Sequence, residues 1–121
     1  MGSNSGARHY HAHAVLDLLS RAWTVEILLA LAGNGPTRFG VLHRTIKGVS
    51  PRVLRERLRQ LEAYDFVFRH YEPTIPPAVT YGVTKRIEDV QALLETLEQL
   101  SRKWQESRLG PLPNGEGRSF P

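Results

Sequence analysis

The sequence predicts an α+β fold that is mostly α, and three observations carry the expectation. Apolar residues recur at helical spacing from His13 to Ala63. The period then shortens to strand alternation between Phe66 and Val83, and the helical period returns from about Lys85 to Glu106. The length of 121 residues is that of one domain, and 40% apolar with 23% charged residues is an ordinary globular balance.

The first helix, His13 to Ser20, places Val15, Leu16 and Leu19 on one face. Trp23 to Ala32 is almost wholly apolar and reads as a buried central helix, stopped by Gly33-Asn34-Gly35-Pro36. Thr37 is placed to cap a third helix carrying Phe39, Leu42 and Ile46. After the turn Lys47-Gly48-Val49, Ser50 caps a fourth helix, and Pro51 takes its first position, where a missing N–H is no loss. Leu54, Leu58 and Leu61 carry that helix to about Ala63. Phe66 to Glu72 and Ala78 to Val83 read as two strands, joined by Pro73-Thr74-Ile75-Pro76-Pro77, which cannot be helical. Beyond the last helix, three prolines and three glycines between Leu109 and Pro121 mark an extended or frayed tail.

Two short helices joined by a glycine-containing turn, with a hairpin directly after them, are the parts of a winged helix-turn-helix. The expected architecture is that motif, with a two-stranded wing and a C-terminal dimerisation helix. It divides into a flexible N-terminus over 1–10, a folded DNA-binding and dimerisation domain over 11–106, and a flexible tail over 107–121.

Several chemistries are excluded by composition. No apolar run approaches the roughly 18 residues of a membrane span, and the residues after Met1 are mostly Gly and Ser with no apolar segment of a secretory signal behind them. No cysteine occurs, which removes disulfides, thiolate metal sites and thiol switches and fits the cytoplasm, where a nucleoid-associated protein would work. His9, His11 and His13 alternate as in an extended segment and have no nearby carboxylate or fourth ligand, so no metal is expected. Gly33 and Gly35 are not followed by the Gly-Lys-Ser/Thr of a phosphate loop. No paired carboxylates or Ser/His/Asp arrangement is apparent, so the reading is of no enzyme and no cofactor.

Charge is more informative than composition. The net charge is +4, yet residues 38–59 alone carry Arg38, Arg44, Lys47, Arg52, Arg55, Arg57 and Arg59 against the single acid Glu56. Confining the excess to one block is the footprint of a polyanion contact. On the fourth helix, Leu54, Leu58 and Leu61 fall within about 60° of one another and face the core. Arg52, Glu56 and Arg59 lie opposite, with Arg55 on the flank, so the helix can lie in a DNA major groove. Its first turns, Ser50, Pro51, Arg52, Arg55 and Glu56, are placed to meet base edges, and Arg59 to meet a phosphate. Glu56 accepts from cytosine or orients a neighbouring arginine. Arg57 sits nearer the core face, where an ion pair or packing of its stem competes with DNA contact. Arg38, Arg44 and Lys47 on the preceding helix and turn suit phosphates, and Arg69, His70 and Thr74 are the wing candidates.

Taken in order, Trp23-Thr24, Ile27-Leu28, Leu31, Arg38-Phe39, Leu42, Ile46, Gly48-Val49-Ser50, Arg52, Leu54, Leu58, Leu61-Glu62, Val67, Arg69, Pro76-Pro77, Val79, Tyr81 and Thr84 resemble the HxlR family of winged helix-turn-helix regulators, the DUF24 branch of the MarR-like proteins. The resemblance spans about residues 14–104. It implies a homodimer on a pseudo-palindromic operator and regulation of nearby genes, often in detoxification or redox metabolism. The sequence departs from the family at the cysteine common before the first helix, which is missing. Asp65 stands where a glycine is usual, Ala78 where a basic residue is common, and Val83-Thr84-Lys85-Arg86-Ile87 lacks the usual glycine of the last helix start.

On the last helix, Ile87, Val90, Leu94, Leu97, Ser101 and Trp104 follow alternating three- and four-residue steps, widened by Leu93 and Leu100. That stripe is broad for a terminal helix covered on one side, so a second copy is the expected partner. Val90, Leu94, Leu97, Leu100 and Trp104 are the seam, joined by Val15, Leu16 and Leu19. The partners read from sequence are thus double-stranded DNA and a second chain, with a small-molecule effector of unknown identity left open. Two alternatives share these features: a winged-helix module for protein–protein assembly, and a nonspecific nucleic-acid binder.

Overall fold

The structure, a computed structural model, describes residues 10–107. Of the flexible segments expected over 1–10 and 107–121, residues 1–9 and 108–121 lie outside the described residues. Among the described residues five helices and three strands follow in the order α1 (Tyr10–Leu19), α2 (Thr24–Asn34), β1 (Thr37–Arg38), α3 (Phe39–Thr45), α4 (Pro51–Ala63), β2 (Val67–Glu72), β3 (Ala78–Val83) and α5 (Ile87–Gln105). The fold class and the order of the helices are those read from the sequence. Among the described residues, no helix is long and apolar enough to cross a membrane.

Two local expectations need correction. The first helix begins at Tyr10, so His11 and His13 are helical rather than extended. Alanines at 12 and 14 explain this, because they are the best helix formers and outweigh the alternating pattern of histidines. Two residues apart on a helix, the two imidazoles point about 200° from each other. Thr37 does not cap the third helix. Thr37 and Arg38 instead form a two-residue strand, and Arg38 occupies the cap position of α3. The Thr37 hydroxyl turns back to donate to the Gly35 carbonyl at 2.7 Å. The sheet therefore has three antiparallel strands in the order β1-β3-β2, with Thr37 opposite Tyr81 and Arg69 also opposite Tyr81.

The core lies where α1, α2, α3 and α4 meet the sheet. Ile27, Leu28 and Leu31 of α2 are fully buried, as are Leu42 of α3 and Leu54 and Leu61 of α4, with Leu58 nearly so. The central helix is less enclosed than its composition suggested, since Leu29 is 45% exposed. From α1 it is Leu18, at 2% exposure, that enters the core; Leu19 packs at its margin, and Val15 and Leu16 stay outside.

The turn between α3 and α4 depends on Gly48. Its φ of 98° lies in the region that favours glycine, and an added Cβ would stand 3.1 Å from Cη2 of the Trp23 ring. Trp23 itself has φ 75° and breaks the chain between α1 and α2. Arg57 of α4 donates from Nε to the Ala22 carbonyl at 2.8 Å, so this same corner holds α4 from behind. At the other end of α4, Asp65 takes φ 62°, supplying the left-handed turn into the wing that its short polar side chain tolerates. Gly82 faces Phe68 across the hairpin, and a Cβ at 82 would overlap the Phe68 ring.

Candidate nucleic-acid interface

Helix α4 starts as its sequence dictates. The Ser50 side chain accepts the Val53 N–H at 3.1 Å, and Pro51 follows at the first helical position. Burial of Leu54, Leu58 and Leu61 then fixes the rotation of the helix. Arg52, Arg55, Glu56 and Arg59 are left in solvent. Only Arg57 is drawn inward, where it holds the Ala22 carbonyl.

Between α4 and the wing runs a groove of about 940 Å³. Arg38, Phe39 and Gly40 form one end, Arg55, Arg59 and Glu62 of α4 form one side, and Arg69, Tyr81 and the tip residues 74–77 contribute to the other. Four arginines face one acid, Glu62, so the groove is strongly basic. Among the candidates read from sequence, it gathers Arg38, Arg55, Arg59, Arg69 and Thr74. Ser50, Pro51, Arg52, Glu56, Arg44 and Lys47 are exposed on α3, α4 and the turn outside it. His70 lies on the strand face opposite Arg69, because side chains alternate along β2. The Thr74 hydroxyl donates to the Pro76 carbonyl at 2.8 Å, which reduces what it offers a ligand.

Sequence reasoning missed Phe39, Tyr81, Glu62 and Ile75 as groove residues. Phe39 has a clear role. The Arg55 guanidinium carbon stands 4.6 Å from the centre of its ring. The His43 ring, one turn along α3, is stacked with it, with centroids 6.4 Å apart and planes 3° from parallel. His43 Nε2 lies 2.9 Å from the Val49 carbonyl, which can only accept, so the nitrogen donates. Arg55 is thereby supported by α3, and the same aromatic column holds the turn that precedes Ser50. A pre-oriented guanidinium loses less freedom on binding than a free one.

The ion pairs of the protein avoid this surface. Among the described residues they are Arg21–Asp17, Arg86–Asp65 and Arg102–Glu98, all outside residues 38–59. Arg38, Arg44, Lys47, Arg52 and Arg59 have no acidic partner among the described residues, and Glu56 pairs with none of the arginines. A helix face that is merely solvated balances its charges along the helix. Here the cations are left uncompensated, which suits an external polyanion.

A second surface lies at the opposite end of the chain. Helix α5 packs against the core through Ile87, Val90 and Leu94. Val90, read from sequence as part of a seam between copies, is 4% exposed and belongs to the core of its own chain. After Leu94 no apolar side chain of α5 packs on that core. Leu97 and Trp104 are 50% and 43% exposed, Leu93 is exposed beside them, and Leu100 is half-buried. Val15 and Leu16 of α1 are exposed as well.

Comparison with known proteins adds lineage to this geometry. The family described as HxlR-like helix-turn-helix matches residues 18–109. An uncharacterised HTH-type transcriptional regulator of Synechocystis is 38% identical over 105 residues, which covers 85% of this chain and 77% of that protein. The uncharacterised HTH-type transcriptional regulator YtfH of Escherichia coli is 36% identical over 94 residues, covering 78% of this chain and 74% of its own length. Among solved structures, the reduced form of the transcriptional regulator YodB from B. subtilis superposes with a TM-score of 0.70 at 29% identity, covering 84% of this chain and 96% of that one.

Proposed function

The chain belongs to the HxlR-like helix-turn-helix family, and on that premise we propose that it is a sequence-specific, double-stranded DNA-binding transcription regulator acting as a homodimer on a pseudo-palindromic operator. The observation that carries the reading is the uncompensated basic surface of α3, α4 and the groove. Helix α4 enters the major groove, and the sugar–phosphate strand beside it runs through the arginine groove toward the wing. Arg38, Arg44, Lys47 and Arg59 neutralise phosphates. Arg52 and Arg55, on the first turns of α4, reach guanine edges, where the planar fork of arginine takes O6 and N7 together. Two copies joined through the distal half of α5, with Val15 and Leu16, present two recognition helices about 34 Å apart, one turn of DNA. Such a protein works in the cytoplasm, on the nucleoid, and needs no catalytic group.

Arg52→Ala tests base reading. Arg52 is exposed and makes no hydrogen bond or ion pair among the described residues, so its removal is expected to leave the fold intact. On a fragment selected from genomic DNA by the purified protein, the variant is expected to lose about 1–3 kcal/mol of binding. On random duplex the loss is expected to be much smaller. Equal losses on both would reassign Arg52 to a phosphate.

A further inference from the structure

The wing tip is built unlike the rest of the basic surface. Pro73, Thr74, Ile75, Pro76 and Pro77 carry no charge, and the three prolines have no backbone N–H. Thr74 gives its N–H to the Glu72 carbonyl at 2.8 Å and its hydroxyl to the Pro76 carbonyl at 2.8 Å. The Ile75 N–H is the one hydrogen-bond donor left on the tip. Phosphates are held by cations and donors, and this tip is almost bare of both. It presents instead the Ile75 side chain, fully exposed at 102%, on a backbone stiffened by prolines and by the two bonds of Thr74. Ile75 also forms part of the wall of the arginine groove.

A strand seated in that groove places α4 in the major groove on one side and the tip at the minor groove on the other. Both base-pair types show acceptors on the minor-groove floor, and G·C adds the guanine 2-amino donor. An isoleucine pressed over that amino group displaces its water and returns no acceptor, leaving a buried donor unsatisfied. Over A·T the added cost is absent, and apolar side chains are known occupants of this groove.

We infer that Ile75 is an apolar minor-groove contact through which the wing favours A·T pairs at the flanks of the operator. The inference rests on the DNA-binding reading above and adds a contact that salt does not screen. The test uses the full chain, its Ile75→Ser and Ile75→Lys variants, and the selected operator with A·T or G·C pairs at the flanking minor-groove positions. The unaltered protein is expected to prefer the A·T flanks by about tenfold. Ile75→Ser is expected to lose about tenfold on the A·T-flanked duplex, little on the other, and to keep the salt slope of the parent. Ile75→Lys is expected to bind both duplexes more tightly, with a slope steeper by about one. Absence of a flank preference in the parent, or an Ile75→Ser variant that matches it on both duplexes, would overturn the inference while leaving DNA binding standing. A parent that binds no duplex at low salt would overturn the DNA-binding reading itself.

Discussion

Replacing Leu97 and Trp104 together by glutamate is expected to yield a folded monomer whose operator affinity falls on the order of 10²-fold. Both side chains lie beyond Leu94, where α5 has left its own core, and both are about half exposed in the single chain. Their removal therefore costs the isolated fold little. In a dimer they would be buried, and two carboxylates on each chain would have to be desolvated without partners. Losing the second half-site then removes the gain that linked binding confers. Sedimentation measures the monomer, circular dichroism the retained helices, and titration of the operator the loss. Cutting the chain after Thr84 is a poorer experiment, because it also removes Ile87 and Val90 from the core. A variant that stays dimeric would place the interface elsewhere.

Arg55 is expected to show the second large effect. Arg55→Ala should weaken operator binding by about 1–3 kcal/mol, and random duplex by less, if the guanidinium reads a base. Phe39→Leu keeps an apolar side chain at the edge of the core and removes the platform 4.6 Å from the guanidinium. It is expected to weaken operator binding by a smaller factor than Arg55→Ala, while Phe39→Tyr, which keeps the ring, restores it. If Arg55→Ala and Phe39→Leu together lose no more than Arg55→Ala alone, the ring acts through the arginine. Additive losses would show that Phe39 has a separate role in the fold.

Much of this site is legible in the sequence. The leucine spacing of α4 set its rotation, Ser50 and Pro51 marked its start, and the charge block located the basic surface. These features are local, so periodicity and capping chemistry report them directly. The strand at Thr37–Arg38 was hidden because two residues have no period, and it forms only by pairing with β3, more than forty positions away. The stack of Arg55 on Phe39 was hidden for the same reason: it joins α3 to α4 across the turn, and neither spacing announces it. Val90 falls to the core of its own chain because the apolar stripe of α5 is continuous, whereas its use is divided. The first half of the helix covers the core of its own chain, and the second half projects beyond it. A stripe alone does not say where one surface ends and the next begins.

The absence of cysteine separates this chain from any thiol-based switch. Between α1 and α2, one corner touches both α4 and the turn before it. The corner at Ala22 and Trp23 follows α1 directly, accepts Arg57 of α4 and covers Gly48 of the turn.

The central claim is that an uncompensated arginine surface reads a specific duplex, and salt titration tests it most directly. Affinity is measured from low to moderate salt for a genomic fragment selected by the protein and for a random duplex of equal length. The expected result is a steep fall for both, about 0.9 in logarithmic slope per phosphate neutralised, with the selected fragment held at least about 10³-fold more tightly at physiological salt. A nearly flat salt dependence with weak binding would contradict the account in favour of an assembly module. Equal affinity for the two duplexes would contradict sequence-specific recognition.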